Sequence, residues 1–473
     1  MDLRSELEAI VGPVGLVPAD DHERFSVDWA GKFSTDPVAV VRPASTAEVA
    51  AVVSLCATEG VAIVPQGGNT GLCGGSIPST PVASVVLSLS RMNTVRSLDV
   101  NRATVTVEAG VTIQALQAAA ADVGLLFAPD WGARGSAQVG GGVSTNAGGL
   151  NVLRWGSMRE QILGLEVVLP DGRVWDGLRA LRKDSSGLDL KHLFIGSEGT
   201  LGIVTAVVFK LHSLPSTHQT AFVALSSLDS LIPFFSRART ESKGLVSAFE
   251  LVPEEGIRRV LANMPSAQRP LATISDWYVL LRMSGDDDVT ETLGRVLESA
   301  AAAGQIVDAA VASTSDQEEN LWTIRDEIPP PFTFDARGRR HKFDMAVPVD
   351  RVVDFLVEAG PVVDAVVPGT LTYGFGHVGD GNIHFNVYPG PDADVDAFDA
   401  RGADLEAAID ELTWSFGGTI SAEHGVGQIM RARMSGQKSD VEIELMERVK
   451  AALDPAGIMN PGKVIPERAP HSG

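Results

Sequence analysis

Val61-Ala62-Ile63-Val64-Pro65-Gln66-Gly67-Gly68-Asn69-Thr70-Gly71 is a strand-like run that empties into a loop with almost no side-chain bulk. Glycines in such a loop let backbone N–H groups approach an anion that a Cβ would obstruct. Just upstream, Ser45 and Glu48 have the S-x-x-E spacing of a capping box, which opens a helix running to about Glu59. Val38 to Val41 precedes that helix as a β-branched strand. Val85 to Leu89, Thr104 to Glu108 and Glu166 to Leu169 continue the strands, the last ending in the turn Pro170-Asp171-Gly172. The first half is therefore α/β or α+β.

Two further glycine-rich stretches lie in the same half, Gly135 to Gly149 and Gly196 to Gly202. Any one of the three reads as a turn in a chain with 48 glycines. Three together predict a dinucleotide cradle. None has the Rossmann G-x-G-x-x-G after a strand or the P-loop G-x-x-x-x-G-K-[ST], so a nicotinamide-binding Rossmann domain and a P-loop NTPase are disfavoured.

The second half carries its chemistry in His377-Val378-Gly379-Asp380-Gly381-Asn382-Ile383-His384-Phe385-Asn386 and in Ser421-Ala422-Glu423-His424-Gly425-Val426-Gly427. His384 and Asn386 are two apart in a strand-like run whose Ile383, Phe385 and Val387 point the other way, so both polar side chains share one face. Gly379, Asp380 and Gly381 permit the reversal that returns His377 to that face. Two His and one Glu with open positions are the ligand set of a catalytic divalent site. A lone H-x6-H pair would more often be two unrelated histidines. Here three of only nine histidines gather around one carboxylate.

With 473 residues, 44% of them hydrophobic, the chain can bury sizeable cores and is expected to form two or three domains. Its formal charge of -22 and pI near 4.8 oppose nucleic acid and anionic membrane surfaces as general partners. Two cysteines, Cys56 and Cys73, exclude a disulfide framework, a Cys-ligated zinc site and a four-Cys iron-sulfur cluster. The N-terminus carries acids where a signal peptide is basic, and no apolar stretch is long enough to span a bilayer. A cytoplasmic location is expected.

A boundary is predicted near Ser213-Leu214-Pro215-Ser216-Thr217-His218, after the strand Ile203 to Leu211. Residues 1–215 form the first domain, with its core at about 38–213. Residues 216–395 read as a substrate-covering domain in which strands (Ala221 to Leu225, Tyr278 to Arg282) alternate with helices (Val289 to Ala303, Val349 to Ala359), the helices packed on one face of a sheet. Residues 396–473 are expected as a mostly helical segment that completes the active site. No fixed-period repeat is present.

Pro65 to Gly71, Ser144 to Gly149, Gly164 to Gly172 and Gly196 to Gly202 together resemble the FAD-binding half of the flavoproteins related to vanillyl-alcohol oxidase and p-cresol methylhydroxylase (PCMH). Arg325, Lys342-Phe343-Asp344, the two histidine segments and Leu453 to Pro461 resemble the D-2-hydroxy-acid dehydrogenases among them, D-2-hydroxyglutarate dehydrogenase in particular. The resemblance spans about residues 38–466. It implies an α+β fold: a PCMH-type FAD-binding domain, a cap domain of antiparallel sheet plus helices, and the C-terminal helical segment.

That resemblance implies pyrophosphate contacts from Gln66, Gly67, Gly68, Asn69, Thr70 and Gly71. It implies further flavin contacts from Pro129, Asp130, Gly135, Ser136, Gly141, Thr145, Asn146, Gly148, Gly149, Glu198, Gly199, Ile203 and Asn460. No His lies in these segments, so FAD is expected to be noncovalent, and nearby Cys73 to be a packed thiol. The resemblance also implies a divalent metal, zinc, on His377, His384 and Glu423, with Arg325, Lys342, Asn386 and His424 around the substrate. A 2-hydroxy acid can chelate a metal while His424 accepts the hydroxyl proton and the C2 hydride leaves for the flavin. Arg325 can hold a carboxylate through a planar fork and Lys342 through a point charge. Their bland alternatives are ion pairs, Arg325 with Asp326 or Glu327 and Lys342 with Asp344.

One departure matters. Pro329 stands where the dehydrogenase pattern has Thr, and it offers neither a hydroxyl nor an N–H, so weaker discrimination for D-2-hydroxyglutarate is expected. The expected activity is oxidation of a D-2-hydroxy acid to the 2-oxo acid, D-2-hydroxyglutarate first and D-lactate or a larger acid second. A flavin oxidase, a metal-dependent hydrolase and a silent flavin-binding module are the rivals. Expected partners are the small-molecule substrate and a separate electron acceptor, an electron-transfer flavoprotein or quinone-type carrier, with a homodimer as the assembly considered.

Overall fold

The Ser45 hydroxyl accepts from Glu48 N, and the Glu48 carboxylate accepts from Ala44 N, one residue before the reciprocal partner of a full capping box. The helix Thr46–Glu59 starts there and stops at Gly60, which is left-handed. Its Val49, Val52, Val53 and Cys56 share an apolar cluster with Val41, Ile63 and Val85. The computed structural model describes residues 2–79, 82–328, 340–390 and 393–466. The chain divides into two compact units, one of Met1–Gly149, Trp155–Leu214 and Glu423–Gly473, the other of Leu150–Arg154 and Pro215–Ala422.

In the first unit, β1 (Ala39–Val41), β2 (Ala62–Gln66) and β3 (Ser84–Ser88) form a parallel sheet in the order β1-β3-β2. Then come β4 (Val95–Asp99), β5 (Thr104–Glu108), β6 (Leu125–Leu126), β7 (Ile162–Val168), β8 (Val174–Gly177), β9 (Ile203–Lys210) and β10 (His212–Ser213). Five of these make an antiparallel sheet, β4-β5-β9-β7-β8, while β6 pairs with β10. Parallel strands are short apolar runs because both their faces are covered; Ala39, Val40 and Val41 are fully buried.

The second unit is built on seven strands: β11 (Thr217–Leu225), β12 (Val246–Pro253), β13 (Trp277–Gly285), β14 (Ile306–Val311), β15 (His341–Ala346), β16 (Thr370–His377) and β17 (Asn382–Pro389). Every neighbouring pair is antiparallel, in the order β14-β11-β13-β12-β16-β17-β15. One face carries Phe249, Leu281, Phe343, Phe385 and Val387 against the helices Leu231–Glu241, Thr290–Ala302, Val352–Val366 and Gly402–Ser415. Phe249 lies 5.5 and 5.0 Å, centroid to centroid, from Phe234 and Phe235.

Two expectations need correcting. Helices cover both faces of this sheet, because Phe222, Val252, Tyr278 and Leu280 form a second apolar surface that Ile257 and Val260 of the helix Glu254–Asn263 and Leu321 and Ile324 of the helix Ser315–Asp326 cover. Residues 396–473 are not one segment of their own. Leu405, Ile409 and Leu412 belong to the core of the second unit, whereas Val449 and Leu453 of the helix Asp440–Leu453 pack into the first.

Candidate functional site

Strand alternation sorts β17 into two rows: Ile383, Phe385 and Val387 enter the helix-covered core, and Asn382, His384 and Asn386 take the opposite face. His377 ends β16, and the turn Val378–Asp380 with Gly381 at φ 86 reverses the chain. A Cβ on Gly381 would sit 2.2 Å from the Val347 carbonyl oxygen, so glycine is required on two counts. The reversal sets the His377 and His384 rings 5.3 Å apart at 80°. Both are buried, at 6% and 7% exposure.

The row extends across the sheet by register. His377 is opposite Glu250 on β12, and on β15 Asp344 is opposite His384 and Lys342 opposite Asn386. Glu250, at 1% exposure, accepts at Oε1 from His377 Nδ1 (2.9 Å) and at Oε2 from Arg325 Nε (2.9 Å) and Nη2 (2.7 Å). Arg325 also meets Asp326 at 3.3 Å, half of its bland alternative. Asp344 lies 3.6 Å from His384 Nδ1 and accepts from Asn382 Nδ2 at 2.9 Å. Lys342 is exposed. Asn386 is completely buried, and its Oδ1 has no hydrogen-bond partner among the described residues. Pro329 lies outside the described residues.

Glu250 is the residue that sequence reasoning missed. Its signal was a charge inside the apolar strand Val246–Pro253, where a carboxylate is almost never fully buried unless paired. Burial alone would raise its pKa, but the charges of His377 and Arg325 and their hydrogen bonds hold it at about 2.

The cradle of the first unit begins at the C-terminal end of β2. Among the described residues, no acceptor takes the backbone N–H groups of Gly67, Gly68, Asn69, Thr70 and Gly71. Asn69 is left-handed at φ 54, held by its Nδ2 on the Val27 carbonyl and by Ser76 on its Oδ1. Gly68 runs so close to Ser136 that a Cβ would stand 1.9 Å from the Ser136 carbonyl oxygen. Gln66, Gly67, Asn69, Ser136 and Gln138 line an open cleft with Arg24 and Arg42. Burial first, and then Arg24 and Arg91, lower the Arg42 pKa. Open amides near two guanidinium groups are a donor set that could hold an anion in an acidic chain.

The remaining expected contacts lie elsewhere in the first unit. Asp130 accepts from Gln117 and Arg134 and pairs across a bridge with Gly149, where a Cβ would lie 1.9 Å from the Asp130 carbonyl oxygen. Thr145 donates to the Gly141 carbonyl within the helix Val139–Thr145, and Asn146 caps it at φ 50, its Oδ1 accepting from Arg159 N. The Glu198 carboxylate, on a residue at φ 49, accepts from Val426 N and Gly427 N. Ile203 has its side chain in an apolar core. Asn460, at φ 40, donates to the carbonyls of Gly75 and Glu198 while its buried Oδ1 has no partner among the described residues. Glu423 Oε1 accepts from Gly149 N at 2.8 Å. His424, next to it, is half-buried. Both cysteines are buried and outside any disulfide, and burial pushes Cys56 up to about 12.

The low pKa of Glu250 has a consequence for stability. A carboxyl whose pKa falls from 4.5 to about 2 on folding stabilises the fold above 4.5 and loses that contribution as the pH drops through about 2. The shift corresponds to about 3 kcal/mol. The gap in urea midpoint between wild type and Glu250→Gln is therefore expected to narrow as the pH falls across that window; a gap independent of pH contradicts it.

Residues 37–177 match the profile of the FAD binding domain, and residues 214–464 match that of the C-terminal domain of FAD linked oxidases. A rice (Oryza sativa subsp. japonica) protein named probable D-2-hydroxyglutarate dehydrogenase, mitochondrial, is 37% identical over 98% of this chain and 81% of its own length. D-2-hydroxyglutarate dehydrogenase of Xanthomonas citri pv. viticola is 37% identical over 94% of this chain and 92% of its own. The crystal structure of p-cresol methylhydroxylase superposes with a TM-score of 0.75 over 98% of this chain and 96% of its own, at 16% identity, and so shares the fold. Among the described residues no helix is long and apolar enough to cross a membrane. With both halves matched, and with a glycine cradle of open amides where an anionic cofactor would lie, the chain belongs to the FAD-linked oxidases and is an FAD-dependent oxidoreductase of the p-cresol methylhydroxylase fold.

Proposed function

We propose that this enzyme oxidises D-2-hydroxyglutarate to 2-oxoglutarate, with a divalent ion, zinc, held by His377, His384 and Glu423. One observation carries the metal: two buried imidazoles lie side by side, each with a carboxylate near its Nδ1. Glu250, Asp344 and Arg325 give that buried row a net charge of about -1 when both imidazoles are neutral, as metal ligation requires. With Glu423 as third ligand the set carries about -2, which a divalent cation neutralises, removing the repulsion of a dicarboxylate. The substrate name rests on the relatives at 37% identity. A smaller or larger D-2-hydroxy acid, D-lactate included, is the second reading, favoured by Pro329. Membership in a flavoprotein family leaves the hydrolase without support.

FAD supplies the two-electron acceptor and the metal supplies Lewis acidity when bound. The chain's own residues do the rest. Gln66 to Gly71, with Arg24 and Arg42, cradle the pyrophosphate, and the segments from Pro129 to Gly149 and from Glu198 to Ile203, together with Asn460, enclose the rest of the cofactor. Asn386 orients the bound acid through its buried amide, Arg325 and Lys342 face its remote carboxylate, and His424 takes the hydroxyl proton. FAD is held noncovalently, since no His lies in the cradle, and electrons pass to a separate acceptor, an electron-transfer flavoprotein or quinone-type carrier. A cytoplasmic location and a homodimer complete this reading; two buried free thiols agree with a reducing compartment.

The purified protein is expected to be yellow, to release its flavin on acid precipitation, and to bleach anaerobically with D-2-hydroxyglutarate. His384→Ala should keep the flavin and lose both zinc and turnover. Flavin that stays on denatured protein refutes the noncovalent cradle, and an indifferent yellow protein refutes the dehydrogenase.

The Gly68→Ala variant tests the cradle. Its Cβ meets a backbone oxygen that cannot yield, so FAD affinity should fall by at least about tenfold, ~1.4 kcal/mol. Retention of FAD equal to wild type, measured by fluorescence on dilution, would sink the assignment.

Specificity gives a third check. Arg325→Ala should abolish any preference for D-2-hydroxyglutarate over D-lactate while changing lactate oxidation less, because lactate has no second carboxylate to leave unpaired. Wild-type kinetics that favour lactate over every dicarboxylate would overturn the substrate name and leave the flavin assignment intact.

A further inference from the structure

Strand alternation places more than the proposed metal and substrate residues on the polar face of β16 and β17. On β16, Tyr373 and Phe375 share that face with His377; on β17, Tyr388 shares it with His384 and Asn386. Their rings form an unbroken line. Tyr388 and Tyr373 stack at 5.5 Å and 12°, Tyr373 and Phe375 are 6.3 Å apart, Phe375 and His384 5.2 Å, and His384 and His377 5.3 Å, centroid to centroid. All five are buried. By register Tyr373 stands opposite Asn386, whose other neighbour is Lys342 on β15. The buried Asn386 amide has an oxygen without a partner among the described residues, as a group kept for a ligand would.

The tyrosine pair is braced from behind. Its hydroxyls are hydrogen-bonded at 3.0 Å, and the Arg259 guanidinium lies 5.4 Å from both ring centroids while Arg259 Nε donates to Glu255 at 2.6 Å, both on the helix Glu254–Asn263. Along β17, two residues separate His384 from Asn386 and two more separate Asn386 from Tyr388, about 6.6 Å for each step. An acid that reacts beside the imidazoles and ends at Asn386 spans one such step, the reach of a glutarate chain. The next step is filled by phenol rings. We propose that Tyr373 and Tyr388 are the end wall of the acid site and set the length of the acid it takes: D-2-hydroxyglutarate fits between the imidazoles and the wall, and a homologue longer by one methylene does not. Side chains locked by stacking and packing exclude by volume because they cannot yield. Shorter acids never reach the wall, so preference over D-lactate is left to the charged residues. The inference rests on the proposed roles of His384 and Asn386.

The experiment compares kcat/KM for D-2-hydroxyglutarate with that for its six-carbon homologue, D-2-hydroxyadipate, in FAD-loaded wild type, Tyr373→Phe and Tyr373→Ala. Wild type should favour the shorter acid by at least about tenfold, the lower end of the roughly 10- to 200-fold that one methylene is worth. Tyr373→Phe keeps the wall and should keep that ratio. Tyr373→Ala opens it and should move the ratio at least about tenfold toward the longer acid. Lower activity of Tyr373→Ala on both acids at an unchanged ratio would assign Tyr373 to the core alone and overturn the proposal. Should Tyr373→Ala not fold, Tyr388→Leu, which shortens the same wall while staying apolar, takes its place with the same expected shift, and an unchanged ratio there overturns the proposal too. Wild type that oxidises both acids equally well refutes the wall and leaves the activity standing. Wild type that oxidises neither overturns the proposed function and this inference with it, a different result from an unchanged ratio in the variant.

Discussion

A carboxylate cannot be buried alone, and the placement of the polar row in the second unit follows from how Glu250 is satisfied. Transferring an ionised group out of water costs far more than one hydrogen bond returns, so it persists only with charged partners in good geometry. At 1% exposure Glu250 has a charged partner and a hydrogen-bonded one, from elements distant in sequence: Arg325 on the helix Ser315–Asp326 and His377 at the end of β16. Removing Arg325 leaves a buried charge uncompensated, at about 3–5 kcal/mol. That cost locks helix to sheet at the point where the His377 ring must be held, and it explains why the helix that covers the apolar Phe222 and Leu280 also presents a cation at its last turn.

The first unit buries a second glutamate and resolves it differently. Burial raises the Glu198 pKa, opposed by the amides of Val426 and Gly427 and by the charge of Lys463. Lys463, itself desolvated, is pulled down to about 7 despite Glu198, with Arg431 adding to the fall. Neutral donors and one weakened cation thus leave Glu198 raised, where His377 and Arg325 drive Glu250 down. The difference in partners suits two tasks. Glu198 fastens a loop, bringing Gly425, Val426 and Gly427 to the glycine segments at Gly75 and Cys73, where a Cβ on Gly427 would be 2.0 Å from the Cys73 carbonyl oxygen.

What could be read in the sequence was what local chemistry dictates. The cap at Ser45, the alternation in Asn382 to Val387 and the reversal at Gly379 to Gly381 are decided within a few residues, and each lies where its spacing places it. Glu250 could not be located, because its partners are 75 and 127 residues away and nothing local distinguishes a buried bridging carboxylate from an edge charge. The same limit hid Arg24 and Arg42, which enter the cleft through the folding of the N-terminal segment rather than through any motif. Nor did the glycine motif show that the Glu198 carboxylate accepts from the backbone amides of Val426 and Gly427. The glycine motifs show where the backbone approaches closely. Which side chains remain open there depends on pairings that only the fold makes.

Net charge and local charge also separate here. At -22 the whole chain repels anions, yet an FAD-dependent enzyme must hold a pyrophosphate. Beyond about 8 Å the field of scattered surface carboxylates is screened at physiological salt, whereas groups in contact are not. Recognition therefore falls to the few unscreened donors: the amides of Gly67 to Gly71 with Arg24 and Arg42 in one unit, and Arg325 in the other. Because Glu250 neutralises Arg325, that cation supplies direction more than net attraction.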